Sequence, residues 1–256
     1  MDQASVLLEW GPTGAAALAD RVDVAVVVDV LTFSTTVSVA ADAGVAVVPY
    51  RLADASAEAL PYRLADASAD ASAADEARAR GATLAVSREA AAPGEVSLSP
   101  ATFRSALGVK KVVLPSPNGS TICALLADAG VEVVVAGLRN RRAVASWLAD
   151  RGGSVLMVPA GERWPDDSLR PAIEDLWGAG GVVAALVDLG VVGVSDEAQA
   201  AAAAYRLVES RLAQALAACA SGQELIGRGY ASDVTIAAEL DASQAVPMLV
   251  DGVLTR

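Results

Sequence analysis

Histidine is missing from all 256 residues, and its absence removes Ser-His-Asp and Cys-His catalysis, phosphohistidine chemistry and His-ligated zinc or haem. Acid-base work falls to carboxylates, hydroxyls or metal-bound water. Cysteine occurs twice, as Cys123 and Cys219, each in an apolar helical pattern with no second thiol at ligand spacing. Both read as buried core residues of a protein kept in a reducing compartment. Lysine occurs only at Lys110 and Lys111, which leaves Schiff-base chemistry little to use. Basic residues number 19 against 31 acidic ones, a net charge of −12, and a dedicated nucleic-acid binder with a basic face is excluded. The N-terminus MDQASVLLEW lacks the basic start of an export signal, so a cytoplasmic location is expected. The most membrane-like stretch, 177–194, contains Asp188 and several glycines and reads as a buried helix ending near Gly190.

Aromatics make up 4 % of a chain that is 54 % hydrophobic, so the core is built from Val, Ala and Leu. Val-rich runs at 22–28, 45–48, 83–86, 111–114, 131–135 and 154–158 are each followed by a turn signal and a helical pattern. Runs apolar on successive residues imply strands buried on both faces. The expected fold is therefore α/β, a three-layer αβα arrangement around a largely parallel sheet, with sites at the strands' carboxyl ends. One domain over 1–256, or two closely packed lobes, suits this length. PYRLADASA stands twice, at 49–57 and 61–69, in a solvated stretch given no function. The segment 195–220 reads as one long scaffold helix, and the residues after it as a shorter helical and extended tail.

Polar residues gather where the predicted strands end. Asp29 follows the first long run and precedes Thr32, Ser34, Thr35 and Thr36; it is either a catalytic carboxylate or a helix cap. It resembles the nucleophile motif of haloacid-dehalogenase phosphatases, but the second aspartate of that motif is Leu31 here. Asn118, Gly119 and Ser120 open a helix and offer free backbone N–H groups to an anion, with no Walker lysine. Arg139, Asn140, Arg141 and Arg142 make a local positive spot, one arginine of which is expected to touch ligand, although Asn140 also suits an N-cap. Glu162, Asp166 and Asp167 lie in an acidic loop, and Ser168 suits the cap of a helix carrying Glu174 and Asp175. Acids beside a phosphate cradle suit Mg²⁺. The glycines of GxGG at 178–181 lack the strand a dinucleotide site needs.

Together DVLTFSTT at 29–36, SRE at 87–89, LSP at 98–100, PNGS at 117–120, RN at 139–140, SLRPAIEDLWGAG at 168–180 and GYASDV at 229–234 resemble the 2-phosphosulfolactate phosphatase (ComB) family, in order and across nearly the whole chain. The resemblance implies Mg²⁺-dependent hydrolysis of 2-phospho-3-sulfolactate to sulfolactate and phosphate. It implies Asp29, Asp175 and Asp233 as metal ligands, with Asp29 and Asp175 catalytic and Glu174 the partner in the acidic pair. Thr35, Arg88, Ser99, Asn118, Gly119, Ser120, Arg139 and Asn140 are then the substrate-binding set. Many relatives carry arginine where this chain has Thr32, glutamate where it has Ser87 and TTTNG where it has PSPNG. The lost arginine bears on substrate identity more than on reaction type, and Arg139 or Arg163 stands as its replacement. Attack by water and attack by Asp29 both remain open, as do a different small acidic phosphoester and a non-catalytic anion binder. A homodimer is the base-rate expectation.

Overall fold

The structure, a computed structural model, describes residues 5–51, 67–106 and 108–256. In chain order the elements are β1 (Val6–Leu8), α1 (Gly11–Leu18), β2 (Val24–Val28), α2 (Phe33–Asp42), β3 (Ala46–Tyr50), α3 (Ala67–Arg80), β4 (Thr83–Leu84), α4 (Pro100–Phe103), β5 (Lys111–Pro115), α5 (Gly119–Asp128), β6 (Glu132–Val135), α6 (Arg141–Arg151) and β7 (Val155–Pro159). A short hairpin, β8 (Glu162–Arg163) and β9 (Leu169–Arg170), precedes α7 (Ile173–Asp188), α8 (Asp196–Val208), α9 (Leu212–Ala218), α10 (Ala220–Gly227) and α11 (Ala231–Ala237). Strands β10 (Met248–Val250) and β11 (Val253–Thr255) follow. All six strands expected from the Val-rich runs are present. Most of the duplicated PYRLADASA lies outside the described residues.

Nine strands form one sheet in the order β1-β7-β2-β6-β10-β11-β3-β5-β4. Pairing is parallel within β1-β7-β2-β6 and within β3-β5-β4. The hairpin β10–β11 joins the two blocks through antiparallel contacts on both sides, so the blocks run in opposite senses. The C-terminal segment is therefore no appended tail. It completes the middle of the sheet, a place that three-residue strands with half-buried side chains do not announce in sequence.

Strand β2 explains the layering. All five of its residues are 0 % exposed, and successive side chains point to opposite faces. Val24, Val26 and Val28 join a core with α6, α7 and α8, while Ala25 and Val27 join another with α1, α2 and α5. Two helical layers thus cover the sheet, as the unbroken apolar runs require.

The expected helix over 195–220 is interrupted. Helix α8 gives way to a 3₁₀ turn at 209–211 and then α9, and at Cys219 the backbone becomes extended, with ψ 164°. Cys219 Sγ then caps α10 by accepting from Gly222 N–H at 3.4 Å. The GxGG glycines have a packing role. A Cβ on Gly180 would sit 2.0 Å from the Ala201 carbonyl oxygen of α8, and one on Gly178 would sit 2.6 Å from Val30. They let α7 lie close against α8 and the end of β2. Both thiols are buried and unpaired. No helix among the described residues is long and apolar enough to cross a membrane.

Candidate active site

Strand β2 delivers Asp29 to its carboxyl end, 7 % exposed, at a point where two helices begin. Asp29 Oδ1 accepts from Phe33 N–H at 3.2 Å, the first residue of α2, and Oδ2 accepts from Gly119 N–H at 3.0 Å, the first residue of α5. Free N–H groups and helix dipoles make such ends hospitable to negative charge. The cap and the candidate carboxylate are thus one residue. Position 119 admits only glycine, because a Cβ there would lie 2.2 Å from the Phe33 ring.

Asp175 enters from the opposite helical layer, in the first turn of α7. Its Oδ1 accepts from Val30 N–H at 2.7 Å and its Oδ2 from Gly161 N–H at 2.9 Å. Glu174 beside it is 2 % exposed. Glu162, on β8, accepts from Asn118 Nδ2 at 3.0 Å. Glu162 and Glu174, which the sequence sets in an acidic loop and at the start of the helix after it, both join the cluster. The available signal was α7 itself, apolar all round, so that acids in its first turn had to be buried. Ser168 does not cap that helix: it precedes β9, and α7 begins after Ala172 without a side-chain cap.

Burial and neighbouring negative charge raise the proton affinity of Asp29, Asp175 and Glu162. Burial lifts Asp29 to about 6, Glu174 adds to the rise, and the Phe33 and Gly119 N–H groups and Arg88 oppose it. Asp175 stands well above the usual carboxylate range through burial and then the charges of Asp29 and Glu174. Glu162 reaches about 8, again through burial first and Asp29 and Glu174 next, against Asn118 and Arg170.

Arginine enters at one edge of this cluster. Arg88 Nε donates to Asp233 Oδ2 at 3.0 Å, a second nitrogen donates to Thr32 Oγ1, and the guanidinium lies 5.6 Å from the Tyr230 ring centroid. Ser99 donates to Asp233 Oδ1, so both oxygens of that fully buried aspartate are engaged. Asp233 therefore reaches the acid cluster through Arg88.

Other residues of the expected substrate-binding set serve the backbone. Thr35 Oγ1 donates to Val30 O at 2.7 Å and Ser120 Oγ to Leu114 O at 3.0 Å. Asn140 is not an N-cap through its side chain: its Oδ1 accepts from Gly137 N–H and its Nδ2 donates to Val135 O and Ala245 O. Arg139, 4 % exposed, is held by Asp42 at 2.9 Å and by Glu239. These two residues tie the start of α6 to the C-terminal segment.

Beside Asn118 and Glu162 opens a cleft of about 200 Å³, walled by Trp10, Pro117 and Leu169 and carrying Arg163 and Asp167. Among the described residues no three or more His, Cys, Asp or Glu side chains converge as a ready-made metal site.

Comparison with known proteins gives this geometry a context. A family model described as 2-phosphosulpholactate phosphatase matches residues 14–252. A probable 2-phosphosulfolactate phosphatase of Deinococcus radiodurans is 32 % identical over 148 residues, 57 % of this chain and 59 % of the relative. Another of that description, from Carboxydothermus hydrogenoformans, is 30 % identical over 158 residues, 60 % and 62 % of the two chains. The matched part thus spans about three fifths of each relative. With the family model running from within α1 to just past β10, the chain belongs to the 2-phosphosulpholactate phosphatase family.

Proposed function

We propose that the protein is a phosphoric monoester hydrolase acting on a small acidic substrate, 2-phospho-3-sulfolactate, to release 3-sulfolactate and phosphate. One observation carries the reading: a buried acid cluster at the start of α2, α5 and α7, with Arg88 at its edge and a cleft at its mouth. Family membership and the names of the two relatives support the substrate.

The donor set fits Mg²⁺. Its atoms are hard carboxylate oxygens, their negative charges are left largely unneutralised by protein cations, and burial makes that charge costly to hold. Mg²⁺ needs only one or two carboxylates, with water and substrate phosphate completing its octahedron. Asp29 and Asp175 would hold it. When bound, the ion would offset the negative charge that the phosphoryl group brings. Arg88, fixed by Asp233 and Tyr230, then pairs with a phosphoryl oxygen, and the α5 N-terminus at Gly119 offers its remaining dipole. Glu162, whose proton affinity burial raises, supplies a proton to the departing substrate oxygen as the P–O bond breaks, while the oxygen of water becomes the fourth on phosphorus and its protons leave with the phosphate. The same reading carries a cytoplasmic enzyme, supported by two buried unpaired thiols, and a homodimer, supported by the prevalence of two-fold assemblies.

The decisive experiment is phosphate release from a panel of phosphorylated hydroxy acids, with added Mg²⁺ and with chelator. Turnover of phosphosulfolactate that requires the ion is expected. Turnover of a different ester alone would replace the substrate, and retained anion binding without any turnover would make the protein a binder.

A further inference from the structure

We infer that Arg163, on the β8–β9 hairpin, is the specificity-determining contact for a second acidic group of the substrate, a reading that rests on the phosphatase assignment above. Such a substrate needs a cation away from its phosphoryl group, and Arg88 stands at the edge of the acid cluster with Thr32 beside it. Thr32 is buried and bonded to Arg88 and Leu98 O, so it supplies no charge. Arg139 is 4 % exposed and already shared between Asp42 and Glu239, and Arg170 is 14 % exposed and faces Glu224 at 3.8 Å. Arg163 is far more accessible. It lies in the cleft that also holds Asn118 and Glu162, and its side chain is 39 % exposed.

Its present partner is its own hairpin. Arg163 donates to Asp167 Oδ1 at 2.6 Å, and Asp167 is 71 % exposed. An ion pair this wet is weakly held and exchanges readily for a carboxylate or sulfonate entering the cleft. The fork of a guanidinium matches either group with two parallel hydrogen bonds. Asp167 is then a placeholder, keeping Arg163 over the cleft until an anion replaces it. Trp10, Pro117 and Leu169 give the same cleft an apolar wall beside Arg163.

The test uses the full chain and two readouts. In Mg²⁺-dependent turnover, Arg163→Ala should raise KM for phosphosulfolactate about 10- to 100-fold with kcat within about threefold, while p-nitrophenyl phosphate, which has no second acid, is hydrolysed as before. Arg163→Lys should recover part of the loss, and Asp167→Asn should lower KM by freeing the guanidinium. Equal losses on both substrates, or none on either, overturn the inference. Calorimetric binding of 3-sulfolactate reads the same contact without chemistry: at least tenfold weaker binding to Arg163→Ala is expected. Unchanged affinity in the variant, or no binding by the native chain, overturns the inference. An inactive native chain that binds sulfolactate through Arg163 would sink the phosphatase reading alone.

Discussion

Asp175 Oδ1 accepts the backbone N–H of Val30 at 2.7 Å, which ties the first turn of α7 to the residue that follows Asp29 on the other side of the sheet. Asp175 Oδ2 takes Gly161 N–H from the end of β7 as well, so one carboxylate bridges two strand ends. Two acids that repel each other are thereby fixed in one frame by backbone groups that cannot move independently. Such a frame keeps the charges concentrated, a state with a stability cost and, in the proposed reaction, a use.

Asp29→Asn tests that use. The amide keeps the shape but lacks the charge, and its –NH₂ would face one of the two backbone donors at Phe33 and Gly119. Mg²⁺-dependent phosphate release is expected to fall by at least about 100-fold while the circular dichroism spectrum is kept. A loss of less than about tenfold, or about 1.4 kcal/mol of barrier, would remove Asp29 from the catalytic role.

The raised carboxyls also predict a pH trend in stability. Asp29, Asp175 and Glu162 bind protons more tightly folded than unfolded. Between the ordinary carboxylate range and their raised values the native state therefore holds more protons, and stability falls as pH rises. Without divalent ions the melting temperature should be lower at pH 8 than at pH 5.5. Adding Mg²⁺ should raise it at pH 8 and change it little at pH 5.5, where Asp29 is largely protonated. A melting temperature that is flat or climbs from pH 5.5 to pH 8 contradicts the electrostatic account.

Much of this was legible in the chain. The apolar run VAVVV before Asp29 needed burial on both faces, which fixed β2, the helical layers and the carboxylate's place at a strand end. Gly119 and Asp175 were readable because a glycine opening a helix and an acid opening an apolar helix have few structural excuses. Arg139 and Asn140 show where that reasoning stops. Their partners Asp42, Glu239 and Ala245 come from distant parts of the sequence, and local spacing carries no trace of such pairing. Glu162 was obscured for a related cause: its neighbours on the hairpin are solvated, and only the approach of Asn118 from β5 and α5 draws it into the cluster.

Gly180→Ala separates packing from chemistry. The new methyl would meet the Ala201 carbonyl at 2.0 Å, a backbone atom that cannot step aside without moving α8. A cost of about 1–3 kcal/mol in denaturant unfolding is expected, with KM unchanged in the folded fraction. A neutral outcome would mean that α7 and α8 are less closely apposed than this structure has them.

Glu162 offers the sharpest kinetic signature. If its proton goes to the departing oxygen, kcat for an alkyl phosphoester should decline on the alkaline side, as this carboxyl, raised above the usual range chiefly by burial, loses its proton. Glu162→Gln keeps an oxygen for Asn118 Nδ2 but has no acidic proton, so it should cost roughly 10²–10⁴-fold on that ester and abolish the alkaline decline. With p-nitrophenyl phosphate the leaving oxygen is stable as an anion and needs no proton, and the loss should shrink to a few-fold. Equal losses on both esters would assign Glu162 to holding the cleft together, since a structural defect does not distinguish one leaving group from another.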